Sequence, residues 1–107
     1  LLNDPVYVEC AKVLAQRLMK EGGGDDPSRL THGFALCTGK QADQEQLAVL
    51  AKLLGSQREH YKKNLGSAKK LLGVGAAKLD DKLDGAELAA WTGVASALLN
   101  LDASIHR

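Results

Sequence analysis

Apolar positions along the 107-residue chain recur at intervals of three and four, the repeat that lines up side chains on one face of an α-helix. The first such segment opens at Asn3-Asp4-Pro5. A short polar side chain there can accept orphan backbone N–H groups, and proline at the first helical position forfeits no hydrogen bond. Val6, Cys10, Val13, Leu14 and Leu18 predict the buried stripe of this helix. Gly22-Gly23-Gly24 ends it, because three consecutive glycines lose too much backbone entropy to stay helical. Asp25-Asp26-Pro27 offers a second cap with proline just inside, Leu30, Phe34 and Cys37 form the next stripe, and Gly39 is a natural stop.

A third helix is predicted from Ala42 or Asp43 to Asn64, with Asp43, Glu45 and Gln46 in a first turn that favours acidic side chains. Leu47, Leu50, Ala51, Leu54 and Arg58 share one face of it, which Val49 and Leu53 widen, and Gly55 is an internal weak point. Leu65-Gly66 is expected to break it, with Ser67 capping a short fourth helix around Lys69 to Leu72. Gly73-Val74-Gly75 to Leu83 reads as loop. Asp84 caps a last helix with Glu87 at the reciprocal capping-box position, and Leu88, Trp91, Val94, Ala95, Leu98 and Leu99 are its apolar residues. The expectation is an all-α fold, a compact four- to five-helix bundle in a single domain spanning 1–107.

Composition supports this. Leu occurs 19 times and Ala 15, against six Val, one Ile and three Thr, so strong helix formers dominate and β-branched residues are scarce. Fourteen Lys and Arg against 13 Asp and Glu leave a net charge of +1, which argues against a strongly nucleic-acid-seeking domain. The longest uncharged run, Leu88 to Leu101, is 14 residues, whereas a bilayer span needs about 20, so no membrane insertion is expected. The N-terminus shows no basic region followed by an apolar stretch, so no signal peptide is expected in this chain.

Candidate chemistry is sparse. His32, His60 and His106 are scattered, with no pair at the i, i+4 spacing that would aim two imidazoles at one metal. No Cys-x-x-Cys-His run exists for covalent haem attachment, and no cofactor is expected. Gly73-Val74-Gly75-Ala76-Ala77-Lys78 and Cys37-Thr38-Gly39-Lys40 lack the preceding strand and the Gly-Lys-Ser/Thr ending of a phosphate loop. Asp25-Asp26 and Asp80-Asp81 sit in loops without a partnering His, so general acid–base catalysis has no footing. Cys10 and Cys37 leave two readings open: two small buried hydrophobes, or a disulfide between the first two helices closing a 26-residue loop. Arg58, His60, Lys62, Lys63, Lys69 and Lys70, with one acid between them, make a local positive face. It reads as a solvated surface or as an interaction surface for an acidic partner. Trp91, among small residues, reads as a core anchor.

Three blocks together resemble one family: Leu2-Asn3-Asp4-Pro5 into Val8-Glu9-Cys10-Ala11, then Phe34-Ala35-Leu36-Cys37-Thr38-Gly39-Lys40, and Glu87-Leu88-Ala89-Ala90-Trp91-Thr92 through Leu98-Leu99-Asn100-Leu101-Asp102. They look like the C-terminal part of the planctomycete-specific domain of unknown function found with planctomycete cytochrome c modules. The resemblance implies an extracytoplasmic, multidomain parent of which this chain is a C-terminal module. It carries over no catalytic residue. It favours a Cys10–Cys37 disulfide through the compartment, although Cys10 stands where the family more usually has Ala. The function expected is a non-catalytic helical module that docks other domains of the parent chain or a protein partner. The alternative is a part of a redox or carbohydrate-processing enzyme whose site upstream domains complete, and a third reading is polyanion binding along Arg58 to Lys70.

Overall fold

The computed structural model describes residues 4–75 and 78–105, of which 102–105 are described by backbone alone. Leu1-Leu2-Asn3, Ala76-Ala77 and His106 lie outside the described residues, as does the side chain of Asp102. Among the described residues the fold is an all-α bundle of five helices: α1 (Pro5–Glu21), α2 (Asp26–Thr38), α3 (Gln44–Lys63), α4 (Leu65–Leu72) and α5 (Gly85–Ile105). None is long and apolar enough to cross a membrane.

Four aspartates set four of the helix starts. Asp4 accepts from the Val6 amide at 2.9 Å, Asp25 from Ser28 at 2.8 Å, Asp43 from Gln46 at 2.8 Å and Asp84 from Glu87 at 3.0 Å. Each satisfies an orphan donor and is worth about 1 kcal/mol. At α3 the Gln46 side chain returns the bond to the Asp43 amide, completing a capping box. At α5 the expected reciprocal bond gives way to another partner: the Glu87 carboxylate is held by Arg58.

Two expectations are corrected. Leu65-Gly66 does not separate α3 from α4, because both residues belong to the first turn of α4. The break is one residue earlier, at Asn64, whose backbone is non-helical (φ −132°, ψ 65°) and whose amide donates to the His60 carbonyl at 2.8 Å. The second correction concerns the face of α1. Its buried residues are Val8, Ala11, Lys12, Leu14, Ala15 and Leu18, whereas Val6 and Val13 are 68% and 44% exposed and Cys10 is exposed. Only Leu14 and Leu18 of the expected stripe are in the core. The helix has apolar residues on more of its circumference than the bundle covers.

α5 runs through the middle, packed against the other four helices. Leu88, Ala89, Ala90, Trp91, Val94, Ala95 and Leu98 are all buried. Its alanines let neighbouring backbones approach while the Trp91 ring fills the remaining volume. Arg29 of α2 lies over that ring at 5.9 Å, and its guanidinium donates to the carbonyls of Met19 and Gly23 at the end of α1. One long side chain thereby joins α1, α2 and α5. Tyr7 adds a second tie between α1 and α5, its hydroxyl donating to the Ser96 carbonyl at 2.8 Å.

The crossing of α1, α2 and α5 is set by Gly33. A Cβ there would stand 2.9 Å from methyl carbons of both Leu18 and Leu98, tighter than a packed core accommodates. Gly55, by contrast, is exposed in α3 with nothing within 4 Å. The same substitution is therefore expected to act with opposite sign. Gly55→Ala should stabilise by about 0.5–1 kcal/mol through helix propensity, and Gly33→Ala should destabilise by about 1–3 kcal/mol through overpacking. Chemical denaturation of the two variants checks this, and equal shifts in the same direction would contradict the packing at Gly33.

Candidate functional site

The polar side chains that meet inside the bundle work at helix ends. Arg58 reaches from α3 to the first turns of α2 and α5. Its Nη1 and Nη2 donate to Asp26 at 2.5 and 2.9 Å, and its Nε and Nη2 donate to Glu87 at 2.9 and 2.6 Å. The planar guanidinium forks onto two carboxylates, each near a helix N-terminus where negative charge is favoured. Hydrogen bonds from Arg58 hold the Asp26 carboxyl below the usual carboxylate range, and the two acids together raise the Arg58 pKa. Arg58 is thus a clamp between helices. This corrects its expected place in the basic interaction surface. The sequence carried the sign of it: Arg58 is four residues beyond the buried Leu54 and so continues the inward face of α3.

The rest of the expected basic surface is exposed. Lys62, Lys69 and Lys70 form no ion pair among the described residues, and Lys63 pairs with Glu59 at 2.9 Å, one helical turn away on open surface. Such an exposed pair contributes little to stability. His60 packs edge-on against Tyr61. His32 lies 3.9 Å from Glu21, and no group of three or more metal-ligating side chains is gathered among the described residues.

No disulfide joins Cys10 to Cys37. Cys10 faces outward with Val6 and Val13, whereas Cys37 is half-buried against the core and close enough to Tyr7 to help burial push the phenol pKa up. Of the two readings left open, the disulfide is not formed, and only Cys37 packs against the core.

Lys12 was not anticipated. It is fully buried, and its ammonium donates to the Leu72 carbonyl at 2.9 Å and to the Val74 carbonyl. A cation at the C-terminus of α4 meets the carbonyls that the helix leaves unsatisfied, where the helix dipole also favours positive charge. The available signal was its spacing: Lys12 is four residues after Val8 and three before Ala15, inside the buried face.

The feature suited to recognition is the outward side of α1. Val6, Cys10, Val13 and the edge of Leu14 make a shallow apolar strip, flanked by Glu9 and Arg17. At 100° per residue its centre is roughly 150° from the middle of the buried face. The bundle therefore cannot cover both sides at once. No known family model, curated protein or solved structure shows significant similarity to the chain.

The clamp makes a pH prediction. Because the folded-state pKa of Asp26 is depressed, its contribution is complete above the ordinary carboxyl value near 4 and is lost as the pH falls through the lower folded value. Arg58→Met should cost about 1–3 kcal/mol at pH 7, with the deficit shrinking below about pH 4. Urea denaturation of wild type and variant across pH 2.5–7 reads this, and a deficit independent of pH would exclude the ionic clamp.

Proposed function

We propose that this chain is a non-catalytic helical interaction module of an extracytoplasmic, cytochrome-associated multidomain protein, which docks another domain of that parent through the outward strip of α1. The exposed Val6-Cys10-Val13 strip carries the reading. Contiguous exposed apolar surface rimmed by polar residues is characteristic of an interface, and a helix face of this kind takes a partner by insertion of side chains spaced three and four apart. The flanking Glu9 and Arg17 give the strip a direction, asking for a cation beside the first and an anion beside the second. The extracytoplasmic parent and its cytochrome association rest on the sequence resemblance. The same segment that opens the resemblance, Asp4-Pro5 into Val8-Glu9-Cys10-Ala11, forms the first half of α1.

The polar network inside the bundle supports a structural rather than a catalytic role. Arg29, Arg58 and Lys12 are occupied in holding helix ends, and the acids near them are caps or clamp partners. A working acid–base pair would need a group left accessible to a substrate.

Co-elution of the chain with the remainder of its parent polypeptide tests the proposal. Val6→Glu with Val13→Glu should weaken association by at least tenfold while leaving the thermal melt within a few degrees, since both positions are exposed. Lys62→Glu with Lys69→Glu should leave association unchanged. No association of the wild-type chain at any salt concentration would sink the docking reading, and loss only with the lysine variant would move the interface to the basic surface.

A further inference from the structure

A separate groove of about 430 Å³ lies between α3 and α5, with Val8 of α1 and Leu71 of α4 closing its other sides. One wall is the Leu53-Gln57-Tyr61 face of α3, which spans about 12 Å at 1.5 Å per residue. The opposite wall is the Gly93-Ser96-Ala97-Asn100 face of α5.

Three observations define what this groove can hold. Every described residue that lines it is uncharged. Its hydrogen-bonding groups are unoccupied: the amides of Gln57 and Asn100 and the hydroxyls of Tyr61 and Ser96 make no side-chain hydrogen bond among the described residues, whereas the neighbouring Thr92 hydroxyl is satisfied by the Leu88 carbonyl. Ser96 lines the groove although the residue as a whole is only 8% exposed, so what surface its hydroxyl presents is presented there. Finally, Gly93 makes room for one of these groups. A Cβ at 93 would stand 2.3 Å from Oε1 and 2.8 Å from Cδ of Gln57, so the amide lies directly against the α5 backbone.

We infer that the groove is a binding site for an uncharged, ring-sized molecule with an apolar body and a hydrogen-bonding edge. Its volume falls within the range of small-molecule sites, and such sites combine apolar walls with a few convergent polar groups. Leu53, Leu71, Val8 and Ala97 supply the apolar contact, and the amide and hydroxyl groups both donate and accept. An ionised ligand would lose hydration without meeting a counter-charge, so the site discriminates against it.

The probes that test this are benzamide, benzoate and benzylammonium, which share a size and differ in charge. A ¹H–¹⁵N NMR titration of the chain with each, at millimolar concentration, reads both site and selectivity. Benzamide is expected to give saturable shifts centred on Gln57, Gly93, Ser96 and Asn100, with at least tenfold weaker binding of the two charged probes. Ala97→Leu, which fills the groove from a half-buried position on α5, should abolish the shifts, and Ser96→Ala should weaken binding severalfold with the melt unchanged. Absence of saturable shifts, shifts centred elsewhere, equal binding of benzoate or benzylammonium, or undiminished binding by a folded Ala97→Leu variant would each overturn the inference. If Ala97→Leu does not fold, the charge comparison and Ser96→Ala decide it.

Discussion

A helix that is apolar on nearly every side has to be surrounded, and α5 imposes that requirement on the rest of the chain. Trp91, Leu88, Val94 and Leu98 are removed from water in different directions around its axis. The four other helices are arranged as its cover. Burial of a large aromatic and several leucines is the dominant favourable term available to a domain of this size. The close approach it needs explains both the alanines of α5 and the glycine at 33, where α2 comes up against Leu18 and Leu98. The covering helices are correspondingly lopsided. α1 has more apolar circumference than it can turn inward, and the excess is the strip of Val6, Cys10 and Val13.

Three cations fasten the cover. Arg29 ties the end of α1 to α2 while lying over Trp91, Arg58 joins α3 to the starts of α2 and α5, and Lys12 joins α1 to the end of α4. All three work at helix termini, where unsatisfied carbonyls or capping carboxylates concentrate negative charge. Four neutral side chains that make no side-chain hydrogen bond among the described residues, Gln57, Tyr61, Ser96 and Asn100, lie together in the groove between α3 and α5.

Most of the architecture was legible from local signals. Asp4, Asp25, Asp43 and Asp84 announced their helices because a capping carboxylate acts within three residues of its own position. What local pattern could not decide was which of two apolar faces a helix turns inward. On α1, Val6, Cys10 and Val13 are as apolar as Val8, Ala11 and Ala15, and the choice is made by α5, some eighty residues away. Lys12 was illegible for a related reason: a buried ammonium is intelligible only once the carbonyls of Leu72 and Val74 stand beside it. Arg58 was placed on the correct stripe of α3 and yet grouped with the surface lysines, because charge along the sequence says nothing of partners at Asp26 and Glu87. The groove has no signature in the sequence. Its polar residues come from two helices and no single segment shows them together.

The bond from Tyr7 to the Ser96 carbonyl spans 89 positions of sequence, and it bears on how the protein comes into being. A chain emerging from the ribosome presents α1 first and α5 last, at roughly 5–20 residues per second. Until α5 emerges, the helices that cover it lack the element they all pack against, and α2 and α4, at 13 and 8 residues, are too short to persist alone in water. Assembly of the core therefore waits for the end of synthesis of this region, and contacts so distant in sequence are slow to nucleate. During that interval both faces of α1 stand open, one of which the finished bundle never hides.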